Sequence, residues 1–327
     1  FVLGAGLKMG GLVEVEAAAG SESGEEVSDL VLATMELGIE AEPADWLRAN
    51  VVLLWEEDDT EPVDVDVAAV TLEGSALFPL QLEAGKLYVP FGEINSHFVS
   101  DPLALELGET RESAAMLGYV RDAIEIKAGV FNGSLDGEGD DDRADDFVAA
   151  VTLIPAAWLS AGAYWISDIG ESDALQETLN SAVEGSGDAV GVGPDGNPAV
   201  IPGIPAVAYD EVGGAGGFVS VWFEPLTLEF EYVTALDDFE PGLLAAGKAC
   251  PRAWNTELAW AAAPMWELAI KYEGADEFPG MPEDQYGTCI SHMLMDSCSL
   301  ACEYLHGEYE DADEDRDVVT VQLALEF

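Results

Sequence analysis

The sequence predicts an all-β fold, a single antiparallel transmembrane β-barrel of sixteen strands occupying residues 1–327. Three observations carry this expectation. Apolar residues recur with a period of two along most of the chain. Short connections alternate with long ones. Strong acidity coexists with high apolarity: 65 acidic residues against 11 basic give a formal charge of −54, yet 49% of residues are hydrophobic and the mean hydropathy is +0.14.

Such a composition suits a barrel whose apolar outer face meets lipid while its charge lies in loops and a wet interior. It holds too much apolar surface for a disordered chain. A polyanion repels phosphate backbones, so nucleic acid is excluded as a partner. No stretch reaches the roughly 18–20 consecutive apolar residues of a membrane helix. The chain opens at Phe1-Val2-Leu3-Gly4 with neither an initiating Met nor a signal peptide, as expected of a mature or trimmed product.

The alternation is read directly from the residues. In Val31, Ala33, Met35, Leu37 and Ile39 the odd positions are apolar, with Thr34, Glu36, Gly38 and Glu40 between them. The same pattern runs through Leu226–Tyr232, Trp266–Tyr272 and the terminal Val319–Phe327. Strands are expected at 6–19, 30–41, 46–57, 63–74, 78–90, 113–121, 123–133, 146–154, 157–166, 212–223, 226–236, 252–263, 265–274, 284–293, 298–308 and 317–327.

The connections between them alternate strictly. Short turns are expected at Glu42–Asp45, Ser75–Leu77, Asp122, Pro155-Ala156, Glu224-Pro225, Pro264 and Leu294–Ser297. Long loops are expected at Gly20–Asp29, Asp58–Pro62, Phe91–Glu112, Ser134–Asp145, Ser167–Glu211, Asp237–Pro251, Ala275–Glu283 and Tyr309–Arg316. Short periplasmic turns and long outer loops are the layout of a membrane barrel. Trp46, Phe78, Trp158, Phe223, Trp266 and Phe327 cluster at the turn ends, as an interfacial girdle would. The alternative is a soluble sandwich with aromatic core residues. About sixteen strands of roughly ten residues would make an odd one.

The third long loop, 91–112, carries its own apolar residues Phe98, Leu103, Leu105 and Leu107, which a solvated loop does not need. One reading folds it into the lumen, where Glu93, His97, Asp101, Glu106, Glu109, Arg111 and Glu112 would form a constriction. The other is a compact external Ω-loop. Inward-facing cations are expected at Lys8, Arg48, Lys127 and Lys271, with Lys86 and Arg121 as further candidates. Inward-facing acids are expected at Glu14, Glu16, Glu36, Glu56, Asp64, Asp66, Glu83, Glu125, Glu229, Glu231 and Glu257. A lining this acidic favours cations.

Several segments of this barrel resemble the LbtU-type siderophore porin family. They are Leu87–Gly92, Ser100–Leu103, Leu105–Ser113, Trp55–Pro62 and Tyr232–Phe239. The resemblance implies a bacterial outer-membrane barrel and iron-siderophore uptake. Members of that family often carry an N-terminal helical extension, which has no counterpart in these 327 residues. No residue read here marks a siderophore pocket.

Cys298 and Cys302, four apart on one strand, lie about 13 Å from each other, too far to bridge. With a turn centred on Met295-Asp296, Cys289 would sit opposite Cys302, and a cross-strand disulfide is then open; free thiols are the alternative. Asp311, Asp313 and Asp315 have the alternating carboxylates of a calcium loop, but Arg316 stands where such a loop needs glycine. The alternative is a solvated anionic face, and no other cofactor is expected. Gly191–Gly196 fits G-x-G-x-x-G but sits in a Pro-rich loop with no following helix, so it reads as a plain loop. His97, His292 and His306 are scattered, and neither a nucleophile–base pair nor a two-histidine metal motif is present, so no enzyme is expected.

The reading that follows is a pore for small solutes or ions, set in outer-membrane lipid and lipopolysaccharide. A siderophore-specific pore and a structural barrel that docks an envelope partner are the alternatives. A homotrimer is expected only by analogy with sixteen-stranded barrels.

Overall fold

A computed structural model describes residues 6–22, 25–57, 60, 62–75, 77–92, 95–135, 144–185, 189–192, 198–201, 206–309 and 315–327. Eighteen strands follow in chain order: β1 (Leu7–Glu22), β2 (Glu25–Ala44), β3 (Leu47–Trp55), β4 (Asp64–Ser75), β5 (Phe78–Tyr88), β6 (Arg111–Arg121), β7 (Ile124–Phe131), β8 (Asp146–Ala156), β9 (Leu159–Ile166), β10 (Ala189–Val192), β11 (Pro198–Ile201), β12 (Gly214–Phe223), β13 (Leu226–Ala235), β14 (Arg252–Ala263), β15 (Trp266–Asp276), β16 (Asp284–Met295), β17 (Cys298–Glu308) and β18 (Arg316–Glu326). Two α-helices lie in loops, α1 (Leu103–Gly108) and α2 (Asp173–Glu184).

Sixteen of these strands close into one antiparallel barrel, and β10–β11 form a separate hairpin in the loop between β9 and β12. Closure comes from β1 pairing with β18, Leu12 opposite Glu326, with Gly11 and Phe327 exchanging backbone bonds of 2.9 and 3.0 Å. A closed ladder leaves no strand edge, which is what lets a sheet cross lipid.

The period of two sets the faces. On β13, Leu228 and Phe230 are about 40% exposed, while Glu229 and Glu231 between them are buried. On β14 and β15, Leu258, Trp260, Ile270 and Tyr272 face out; Asn255, Glu257, Lys271 and Glu273 are buried. The apolar face is therefore the outer one and the polar face the inner one, inverted relative to a soluble protein. Trp158 stacks on Phe223 at 5.1 Å between two short-turn ends, and Trp266 stacks on His292 at 4.0 Å near a third.

Two expectations change. The loop expected at Gly20–Asp29 is mostly hairpin: β1 and β2 pair out to Glu22 opposite Glu25. Polarity there reports water beside the arms and leaves their mutual hydrogen bonding intact. The Cys289–Cys302 bridge does not form, and all four cysteines are free. A bulge between Met293 and Met295 shifts the β16–β17 register by one, so Ile290 opposes Cys302 and Glu303 opposes Cys289. A one-residue slip moves side chains to opposite faces. Cys289 is buried beside Ala269 on the inner face; Cys302 shares the outer face with Ile290 and Val321. Thiol alkylation of the unfolded, unreduced protein, read by mass spectrometry, will show four modified cysteines; two modified cysteines would contradict this register.

Candidate functional site

The connection between β5 and β6 lies against the inner wall. Its backbone N–H groups have no ladder to join, and wall carboxylates take their place. His97 N donates to Glu257 Oε2 at 2.7 Å, and Ser96 Oγ donates to Glu257 Oε1 at 2.9 Å. Val99 N and Ser100 N both donate to Glu303 Oε2, at 2.8 and 3.1 Å. Leu103 N donates to Glu273 Oε2 at 3.0 Å. These three glutamates stand on β14, β17 and β15, and each is almost wholly buried. Loop and wall thus meet across segments more than 150 residues apart in sequence.

A cation anchors the same contact. Lys271 Nζ lies 3.2 Å from Glu273, both side chains fully buried. It also lies 3.4 Å from Ser100 O and 4.6 Å from the centroid of the Phe98 ring. Phe98 packs on Ala259, Ala269 and Cys289, and Gly287 leaves it room: a Cβ there would come within 2.6 Å of its ring. His97 Nδ1 meets Glu267 at 2.9 Å, and this carboxylate holds the imidazole pKa above its usual value.

From Leu103 the loop turns into α1, whose Leu103, Ala104, Leu105 and Leu107 are buried. They join a core built from other outer connections: Leu135, Ile169, Leu175, Leu179, Phe239, Leu243 and Phe278. The helix α2 belongs to that core. Its Leu175, Leu179 and Ala182 recur at helical spacing, a signal present in the sequence that the expected plain loop at 167–211 passed over. The two loops are tied directly, Asp173 N donating to Glu109 O at 2.9 Å.

The wall beside the loop's seat is different: β18, β1 and β2 follow β17 around the barrel. Asp101 at the loop's turn is exposed and couples electrostatically to Glu14 and Glu16 of β1 and to Glu303. Glu14 in turn couples to Glu36 of β2. Exposed Asp101 on the loop is therefore bordered by carboxylates of the adjoining β1–β2 wall.

Cations elsewhere are compensated. Lys8 meets Glu40 and Glu42 at 2.6 and 3.4 Å; Arg48 meets Glu73 at 2.8 Å and Glu42 at 3.6 Å. Lys127 meets Glu125 at 2.6 Å. At the outer ends of β4–β6, Asp64, Asp66, Lys86, Tyr88 and Arg111 form one network: Lys86–Asp64 is 3.1 Å, and Asp66 Oδ1 accepts from Arg111 Nη1 at 2.9 Å and Tyr88 Oη at 2.7 Å. Glu83 accepts from Thr71 Oγ1 at 3.3 Å. Arg121 lies beside Asp122 at a turn, largely exposed.

Several residues expected in one constriction are thus spread out. Arg111 and Glu112 belong to β6, since pairing with β5 starts at Tyr88 opposite Arg111. Glu106 lies on α1 and Glu109 just after it, and Glu109 couples electrostatically to Asp173, Asp101 and Asp66. Glu93 lies outside the described residues, as do Asp311 and Asp313 of the calcium motif. Among the described residues no group of three or more His, Cys, Asp or Glu could hold a metal ion. Glu273 and Glu303, absent from the expected lining, seat the loop together with Glu257, which that lining included.

Two loop carboxyls sit in surroundings that resist ionisation. Burial, with Asp173 and Asp101 nearby, pushes Glu109 up to about 7. Burial pushes Asp168 up to about 7 as well, although Tyr209 Oη and Gly170 N donate to it. A folded-state pKa above the unfolded value makes protonation stabilising. Packing of the outer loops is therefore stronger at pH 6 than at pH 8, where both carboxyls ionise. The thermal midpoint should fall between these pH values, and Glu109→Gln should flatten part of that fall. Glu273→Ala strands the buried Lys271 charge. It should destabilise the protein by about 3–5 kcal/mol in denaturant titration, and a loss below about 1 kcal/mol would show that the pair is not sealed as described.

No family model matches this chain. An UPF0422 protein of Coxiella burnetii is 23% identical over 288 residues, covering 82% of this chain and 56% of that protein. A second UPF0422 protein, from Legionella pneumophila, is 24% identical over 246 residues, covering 70% and 44%. The chain thus spans about half the length of the curated relatives it matches. In three dimensions it is similar to the anion-selective porin from Comamonas acidovorans, with a TM-score of 0.65 at 12% identity over 98% of this chain and 99% of that one. It is also similar to Salmonella typhi OmpF in complex with daunomycin, with a TM-score of 0.64 at 8% identity over 98% and 97%. Vibrio cholerae OmpT in its trimer form gives a TM-score of 0.59 at 12% identity over 98% and 99%. The fold is that of these porins, a closed antiparallel barrel that here has sixteen strands, and its apolar outer face places the chain in a bacterial outer membrane.

Proposed function

We propose that this barrel is a non-enzymatic diffusion pore for small hydrophilic solutes that prefers cations. The observation that carries the reading is an acidic rim: exposed Asp101 on the loop, beside Glu14, Glu16 and Glu36 on the adjoining wall. Lys271, the cation nearest the loop, is sealed against Glu273 and Phe98 and adds no exposed positive charge there. Fixed carboxylates around a narrow aqueous path lower the energy of a passing cation and raise that of an anion. Loop three, seated on one wall, narrows that path. We further propose a homotrimer, the state that the solved Vibrio cholerae OmpT takes. Outer-membrane lipid would surround it, and lipopolysaccharide would be bridged to the acidic loops by diffuse divalent ions.

A second reading is a siderophore-specific pore. The loop core over the outer mouth favours it, because packed loops suit a selective entrance better than an open sieve. It rests otherwise on the resemblance of the loop-three and flanking segments. A structural sleeve fits least, because the seated loop occupies the space a docked partner needs.

The test is the zero-current potential of the purified protein in a planar bilayer under a KCl gradient. A cation-preferring pore makes the dilute side positive. Asp101→Asn combined with Glu14→Gln and Glu16→Gln should shrink that potential. A dilute side that turns negative would overturn the charge argument, and a protein with no open steps would favour the specific or structural readings.

A further inference from the structure

One side of the inner wall is hollowed beneath loop three. Antiparallel register aligns Glu125, Thr152, Gly162 and Phe218 in one row across β7, β8, β9 and β12. The adjacent row holds Lys127, Ala150, Tyr164 and Gly216. Thr152 and Gly162 in the first row and Ala150 and Gly216 in the second keep the wall thin. Bulk returns over the glycines: a Cβ on Gly162 would come within 2.3 Å of the Phe218 ring, and one on Gly216 within 2.3 Å of the Tyr164 ring. Pro90 and Gly92 of loop three roof the hollow, and Ile154 and Trp222 flank it toward the short-turn end. The cavity measures about 360 Å³, within the roughly 300–1,000 Å³ of small-molecule sites.

The charges in this recess are specific. On the inner wall from β7 to β15 the described cations are Lys127 and Lys271, and Lys271 is sealed under the loop. Lys127 remains reachable, its side chain 36% exposed, as is that of its partner Glu125. A half-exposed ion pair is weakly held, so each partner can turn to a ligand. The Tyr164 hydroxyl is committed to Glu231, which leaves its ring as the surface offered to the recess.

We propose that this recess is a lumenal subsite for small zwitterions with an apolar body, the class of α-amino acids with apolar side chains. The proposal rests on the pore reading and names a solute for it. A free anion is repelled by the surrounding carboxylates. A free cation finds carboxylates throughout the lumen and gains nothing particular here. A zwitterion gains from both charges at once, its ammonium on Glu125 and its carboxylate on Lys127. Phe218, Trp222 and Ile154 then cover its apolar part.

Two measurements on the full chain test this. Detergent-solubilised protein is titrated with L-phenylalanine, phenethylamine and phenylacetate by saturation-transfer NMR, and the same solutes are added to single channels in a bilayer. L-phenylalanine should bind and interrupt the current, with the one-charge analogues weaker by about tenfold, as loss of one charged hydrogen-bond partner implies. Glu125→Gln and Lys127→Met should each weaken L-phenylalanine to the level of the matching analogue. Trp222→Ala should weaken all three solutes. Channels that open normally while all three solutes bind alike, or not at all, would overturn the subsite and leave the pore standing. Binding lost in Glu125→Gln, in a protein that passes no current, would support the subsite and overturn the pore.

Discussion

The structure depends on how a loop can lie inside a barrel. A barrel wall satisfies its own backbone, but a long segment laid across its inner face brings amides with no ladder to join. Here three buried glutamates accept them. Glu257, Glu273 and Glu303 take five donors from loop three. Hydrogen bonds to a charged acceptor contribute about 1.5–3 kcal/mol each, enough together to hold the loop on one wall. Lys271 pairs with Glu273, and the Phe98 ring packs over its ammonium.

The seated loop divides the lumen into two environments. On its own side, α1 recruits apolar residues from the other outer connections into the largest core of the molecule. On the adjoining β1–β2 wall, half-buried carboxylates line the lumen. The acidity of the chain is thus unevenly spread. Along the loop contact it serves as hydrogen-bond acceptor, and along β1 and β2 it lines the remaining lumen.

Much of the barrel was legible because lipid imposes a strict rule. Alternation as regular as Leu226–Glu231 has one solution in a membrane, and the strand at Arg252–Ala263 fell where the residues put it. Local departures were not legible. The bulge near Met293 moved Cys302 to the outer face, and nothing in the composition of that turn reveals an extra residue. Segment 20–29 read as a loop because it is polar, although two arms beyond the lipid can still pair. The apolar residues of loop three announced that it packs somewhere. That its amides land on Glu303 depends on distances between strands that no sequence pattern carries. Glu257 could be read as inward-facing, but its role as an acceptor for His97 could not. The helix at Asp173–Glu184 was readable from Leu175 and Leu179, and was masked by the polar residues around them.

The central claim is that wall carboxylates hold the backbone of loop three. Hydrogen–deuterium exchange of the protein in lipid tests it most directly, read at the amides of His97, Val99, Ser100 and Leu103. These amides have no strand partner, and their hydrogen-bond acceptors are the wall carboxylates. Slow exchange at all four, lost in Glu303→Ala at Val99 and Ser100 in particular, is the result this account predicts. Exchange at the rate of a free loop in the unmodified protein would contradict it.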